Sequence, residues 1–199
     1  MLRVSRPGLH RLVSTRRRQL FSLPDLSNIL PGGSELQTYR EQKSLPYTRQ
    51  QLYKIVSDVG SYHHFIPFCS ASRVLSTTDE TQSPILMDAE LTVEFLAFKE
   101  SYVSRVTCIP LESVQAVASS ATPLFKELTT MWRFQSISES GAFSSSDATA
   151  SPTTLVKLDL SFAFASPIHA AISSSFFGQV SKLMVNAFEE RCAEVYGPK

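Results

Sequence analysis

SPIHAAISSSFFGQVSKLMVNAFEERCAEVY, residues 166–196, decides how the rest of the chain is read. Ser166 suits an N-cap and Pro167 the first helical position, where a missing N–H costs nothing. From there Phe177, Val180, Met184, Phe188 and Val195 recur at helical spacing, and Phe176, Leu183 and Ala187 widen the stripe. Gln179, Lys182, Asn186, Glu190 and Glu194 take the other side. The spacing predicts one long C-terminal helix whose apolar face needs a broad partner surface. Such a stripe serves either as ordinary core or as the roof of a gap between helix and sheet, and periodicity alone leaves both open.

The partner surface precedes it. Val156, Leu158, Leu160, Phe162 and Phe164 alternate with Lys157, Asp159, Ser161 and Ala163, a clean period of two. Leu124 to Ile137 places Leu128, Thr130, Trp132 and Phe134 on one face. Lys99 to Ile109 sets Tyr102, Ser104, Val106 and Cys108 against Val103, Arg105 and Thr107. Met87, Ala89, Leu91, Val93 and Phe95 alternate with Asp88, Glu90, Thr92 and Glu94. This apolar/polar alternation belongs to antiparallel strands with one wet face. Phe68 to Thr77, Ser113 to Ser119 and Leu36 to Leu45 read as further strands.

Helical signals interrupt the strands once. Thr48 and Gln51 form a capping box ahead of Leu52, Ile55, Val56 and Val59, which share a face; Gly60 reads as the C′ residue. Ser61 to Ile66 reads as a second short helical piece, stopped by Pro67. Ser138 to Pro152 is Ser- and Ala-rich and reads as a hairpin tip. The expected fold is α+β: a curved antiparallel sheet of about seven strands wrapped on the long C-terminal helix, with two short helices after the first strand.

Charge divides the 199 residues. Residues 1–24 hold six Arg and no acid, with Leu2, Leu9, Leu12, Val13 and Leu20 interspersed, the pattern of a mitochondrial transit peptide. Residues 25–36, with Pro31, Gly32 and Gly33, read as a linker, leaving 37–199 as one domain. The remaining chain carries 13 basic residues (19 less 6) against 18 acidic, which argues against nucleic acid as a partner. Cys69, Cys108 and Cys192 are widely separated and suit free thiols rather than a disulfide framework. Leu160 to Ser181 lacks charge but is broken by Ser, Pro, His and Gln, so it is read as no transmembrane span.

Several chemistries find no footing. The glycines form no phosphate loop or nucleophile elbow. His63 and His64 are adjacent, so helical geometry is expected to point them about 100° apart. His169 is a minor candidate for polarising a carbonyl. Glu189 and Glu190 are expected on the wet side of the helix, and Asp88, Glu90 and Glu94 on the outer face of their strand. The inner faces are then expected to be aromatic, aliphatic and small, with neutral polar groups only. That lining suits an uncharged apolar ligand, each buried CH₂ of which contributes about 0.8 kcal/mol.

Three blocks carry a resemblance. They are Tyr53-Lys54-Ile55-Val56-Ser57-Asp58-Val59 with Tyr62, Phe65, Pro67, Phe68, Cys69 and Ser72; Pro123-Leu124-Phe125 with Leu128 and Trp132-Arg133-Phe134; and Phe162, Phe164, Ser166, His169, Phe176-Phe177, Val180, Ala187-Phe188-Glu189, Arg191 and Tyr196-Gly197-Pro198. Together they resemble the START-like helix-grip fold, and within it the mitochondrial coenzyme Q-binding protein family. Phe68 stands where that family usually has Trp, and the turn after Glu94 lacks a Pro often found there.

The resemblance implies a non-catalytic protein without a cofactor that holds ubiquinone as ligand. It implies a carrier or chaperone supporting respiratory electron transport and ubiquinone biosynthesis, in contact with a respiratory or biosynthetic complex. It also implies a peripheral position on the matrix side of the inner mitochondrial membrane. The expected lining is Val93, Phe95, Tyr102, Val106, Trp132, Phe134, Phe162, Phe164, Phe177, Val180 and Met184, with Tyr102, Ser104 or Thr130 donating to a quinone carbonyl. The apolar turn Phe95-Leu96-Ala97-Phe98 is expected to touch the bilayer, with Ile172, Phe176 and Phe177 as further candidates. A cyclase or hydrolase on the same fold, or a general phospholipid or fatty-acid carrier, is the alternative.

Overall fold

The computed structural model of the protein describes residues 36–79, 81–95, 98–119, 125–137, 153–165 and 167–198, with 95, 98 and 167–181 described by backbone alone. The expected transit peptide, the linker and the Ser-rich tip lie outside the described residues.

Seven strands form one antiparallel sheet: β1 (Gln37–Leu45), β2 (Cys69–Thr77), β3 (Ile85–Phe95), β4 (Phe98–Ile109), β5 (Ser113–Ala118), β6 (Phe125–Ser136) and β7 (Thr154–Phe164). Their order is β1-β7-β6-β5-β4-β3-β2. Strands β2 to β7 therefore run as a meander, while β1 pairs with the last strand and stands at the opposite edge from β2. Between these edges the chain passes through α1 (Arg49–Ser57) and a 3₁₀ turn (Val59–His64). The long helix α2 (Pro167–Tyr196) follows β7 directly.

Local chemistry sets the boundaries. The Thr48 hydroxyl accepts from the Gln51 amide at 3.1 Å, and the Gln51 side chain accepts from the Thr48 amide at 3.0 Å, so the capping box forms. Gly60 does not end α1. The helix stops at Ser57 with Asp58 as C-cap, and Gly60 sits inside the 3₁₀ turn. The left-handed glycine cap belongs to α2 instead, where Gly197 has φ 83°.

The outer face is wet and charged, as the alternation required. Asp88 pairs with Arg105 at 3.3 Å, Glu90 with Arg73 at 2.9 Å, and Glu94 with Lys99 at 3.2 Å. Asp159 lies between Arg40 and Arg133. The concave face holds the core. Tyr47 closes one end: its hydroxyl donates to the Gly197 carbonyl at 3.2 Å, and its own carbonyl accepts from the Thr154 hydroxyl at 2.7 Å.

Over the second half of α2, where side chains are described, the packed face keeps Ala187 and Phe188 of the expected stripe but takes in Val185 and Cys192 in place of Leu183 and Val195. Val185, Ala187, Phe188 and Cys192 are buried and Met184 is half-buried, while Leu183 and Val195 are 43% and 46% exposed. The spacing Val185, Phe188, Cys192 is as helical as the predicted one; the side chains waiting on the sheet chose between them.

Candidate functional site

The concave face divides into two regions. In the first, α1 and the second half of α2 seal the sheet. Trp132 on β6 meets Phe188 with centroids 4.8 Å apart, and Tyr53 on α1 meets Phe134 edge-on at 6.3 Å. Among the described residues a void of about 20 Å³ lies here, bordered by Leu52, Val56, Val185 and Cys192 with Glu41 and Lys43 at its edge. That volume holds about one water and no prenyl unit.

The second region is an aromatic floor. Phe125, Leu128, Leu160, Phe162 and Phe164 are buried together, with Tyr39, Val93, Tyr102 and Ala118 packed against them. Phe125 stacks on Phe164 at 5.2 Å; Tyr102 meets Phe125 edge-on at 5.6 Å, and Phe162 meets Phe164 likewise at 5.6 Å. A bulge positions Phe125. The β6–β7 register shifts between Phe125 and Glu127, and the extra residue turns Phe125 inward with Leu128 while Lys126 faces out. Strict alternation counted back from Leu128 gives the opposite assignment. Because β7 runs toward Phe164 and α2 starts three residues later, the first half of the helix begins at this aromatic end.

Polar groups punctuate the floor. Ser104, 3% exposed, stands in β4 between Ala89 of β3 and Ala118 of β5, so small side chains flank it on both sides. Thr130 is half-buried between Ala116 and Leu160. The Tyr102 phenol is pushed well above its ordinary range, mainly by burial and then by the neighbouring Cys69. Among the described residues no hydrogen bond engages the Tyr102 hydroxyl.

These findings distribute the anticipated residues. Val93, Tyr102, Phe162 and Phe164 share the aromatic floor, with Ser104 and Thr130 on the same face. Val106, Trp132 and Phe134 belong to the sealed region. Met184 is half-buried on α2. The Phe95 backbone pairs with Phe98 at the end of the β3–β4 hairpin. The side chains of Phe95, Phe177, Val180, Ile172, Phe176 and His169, and residues Leu96 and Ala97 altogether, lie outside what is described. Leu128, Leu160 and Ala118 were not anticipated as lining, although Leu128 and Leu160 sat in the alternation that found their neighbours.

Three expectations about charge are corrected. The inner face is not free of it: Glu41 and Lys43 of β1 and Glu100 of β4 fall on inward positions of their strands. Glu189 is only partly on the wet side; it pairs with Lys43 across the seam between α2 and β1. The Tyr39 hydroxyl donates to Glu41 at 2.6 Å, and its pKa is pushed up to about 12 by burial and by that carboxylate. His63 and His64 do not diverge either. Their rings lie 3.8 Å apart although a 3₁₀ turn sets neighbours about 120° apart, so the side-chain torsions bring them together, and Ser72 contacts His63 Nδ1 at 2.7 Å. Among the described residues no group of three His, Cys, Asp or Glu converges as a metal site, and no helix is long and apolar enough to cross a membrane.

The family model for polyketide cyclase / dehydrase and lipid transport proteins matches residues 45–189. A mitochondrial coenzyme Q-binding protein of Xenopus laevis, COQ10 homolog B, is 38% identical over 165 residues, covering 83% of this chain and 62% of that protein. The chain thus spans less than two thirds of that relative's length. The ribosome association toxin RatA of Pseudomonas aeruginosa is 33% identical over 153 residues, covering 77% of this chain and 93% of the toxin. Among solved structures, a START superfamily protein from Mycobacterium smegmatis superposes with a TM-score of 0.62 at 14% identity, covering 79% and 98% of the two chains. The fold is therefore START-like, as the three sequence blocks implied.

Proposed function

This chain belongs to the polyketide cyclase / dehydrase and lipid transport family, and from that premise we propose that it is a non-catalytic ubiquinone-binding protein. The ligand's ring and first isoprene units lie on the aromatic floor, beneath the first half of α2. The observation that carries this reading is the Tyr102 hydroxyl: a half-buried donor that no hydrogen bond engages among the described residues, on a ring packed edge-on against Phe125 in the aromatic floor. A quinone carbonyl above the floor gives that hydroxyl an acceptor in apolar surroundings, where a hydrogen bond is stronger than in open water. The similarity to a coenzyme Q-binding protein supports the choice of ligand.

The cellular role that fits is a lipid chaperone or carrier, delivering ubiquinone for respiratory electron transport or for its own biosynthesis. The acid-free, Arg-rich residues 1–24 and the mitochondrial relative support a mitochondrial location. We place the protein peripherally on the matrix side of the inner membrane, with the Phe95–Phe98 turn at the bilayer surface. Leu96→Asp then lowers liposome binding; unchanged binding removes the membrane contact.

The toxin relative raises ribosome docking as a rival. The acid-rich body disfavours an RNA surface, since counter-ion release requires an excess of Lys and Arg. Organic extraction of protein purified from mitochondria, followed by mass spectrometry, tests the proposal. Ubiquinone in near-stoichiometric amount is the expected result. Phospholipid or fatty acid alone overturns it, and turnover of a quinone precursor by the purified protein replaces it with the enzyme reading.

A further inference from the structure

We propose that Glu100 makes this site select its ligand's head group, favouring one that carries no negative charge and donates a hydrogen bond: the hydroquinone form rather than the quinone. The inference rests on the ubiquinone reading above and deepens it. Glu100, Tyr102 and Ser104 occupy alternate positions of β4, whose pairing with β3 is unbroken by any bulge, so all three face the concave side. Burial is deepest at Ser104, which is 3% exposed, while Glu100 and Tyr102 are half-buried. The three form a polar track leading from the rim toward the floor, opposite Val93, Leu91 and Ala89 of β3.

The state of Glu100 distinguishes it from the other charges. Outward-facing Asp88, Glu90, Glu94 and Asp159 each have a basic partner. Of the inward-facing charges on β1, Glu41 accepts from Tyr39 and Lys43 pairs with Glu189. Among the described residues nothing pairs with Glu100.

A carboxylate accepts hydrogen bonds and donates none. Tyr102 and Ser104 hydroxyls do both, so they hold quinone and quinol alike. A quinone presents only acceptors, which Glu100 repels; a quinol hydroxyl donates to it. Alternate residues of a strand stand roughly 7 Å apart, so one ring addresses Tyr102 with one oxygen and Glu100 with another. A fatty acid or phosphatidate brings like charge against the carboxylate and is rejected.

Anaerobic calorimetry on the full chain tests this with a short-tailed ubiquinone, its reduced quinol and decanoate. The wild type is expected to bind quinol about tenfold tighter than quinone, in keeping with a hydrogen bond to a charged group. Glu100→Gln brings that ratio close to one and admits decanoate. Glu94→Gln, on the outer face, leaves the ratio unchanged. Equal affinities in the wild type, or a ratio that Glu100→Gln does not move in a folded variant, overturn the selection by Glu100 while the ubiquinone reading stands. Failure of the wild type to bind either redox form overturns both.

Discussion

The Phe188 ring of α2 meets the Trp132 indole of β6 at 4.8 Å between centroids, tilted by 64°. Tyr62 and Phe65 close on the same ring at 5.4 and 5.3 Å, so one side chain of the helix is held from the sheet and from the 3₁₀ turn together. This contact fixes the second half of α2 on the sheet, while the aromatic floor lies at the other end of the sheet.

Phe188→Ala should therefore destabilise the protein by about 3–5 kcal/mol, the range for a buried aromatic truncated to a methyl. Phe188→Leu should cost clearly less, because much of the volume stays filled. Urea unfolding followed by Trp132, the only tryptophan of the chain, measures both. Equal midpoints for Phe188→Ala and the wild type would show that the helix is held elsewhere.

Tyr102→Phe removes the hydroxyl and keeps the ring packed on Phe125. No described group loses a hydrogen bond, so the thermal midpoint should stay within experimental error or rise slightly. Retained ubiquinone should fall about tenfold, the worth of one hydrogen bond in a dry site. A large loss of stability with ligand unchanged would make Tyr102 a structural residue only.

Much of this architecture was legible because period-two alternation survives wherever one face of a strand is wet. Strands β3, β4, β6 and β7 announced themselves so, as did the Thr48–Gln51 box. What was hidden depended on contacts between distant residues. The rotation of α2 onto Val185 and Cys192 follows from the sheet it meets. Phe125 was hidden by the bulge beside it, which breaks the alternation used to assign faces. Glu100 was missed because the inner face of the predicted Lys99–Ile109 strand was counted only from Tyr102 onward, two places after it. Lys43 was missed on an edge strand of weak pattern; inward-pointing charges there discourage edge-to-edge pairing.

Burial pushes the Cys69, Cys108 and Cys192 thiols up from an ordinary 9.0 to about 11. The native state thus holds these protons more tightly than the unfolded chain. The stability they contribute is complete below about pH 9 and is lost as pH rises from 9 through 11, when unfolded thiols ionise first. The urea midpoint should fall across that window. A thiol reagent at neutral pH should leave all three untouched in the folded protein and modify all three in urea, as reactivity follows the thiolate. Rapid labelling of any one under native conditions would contradict its burial.

Lys43 and Glu189 bridge the seam between β1 and α2 with side chains 42% and 36% exposed. That exposure limits their mutual worth, for a partly wet pair gains little over its separate hydration. A double-mutant cycle with Lys43→Met and Glu189→Gln should return a coupling of about 0.5–1 kcal/mol, shrinking in high salt because exposed charges are screened. The single variants are expected to differ. Lys43 lies against the small void lined by Leu52, Val56 and Phe134, so a Met there keeps apolar packing and offsets part of the lost charge. Glu189→Gln leaves an inward-facing ammonium without its counter-charge and should cost more. If Lys43→Met proves the more damaging, the ammonium is held by groups other than Glu189 and the seam is closed differently.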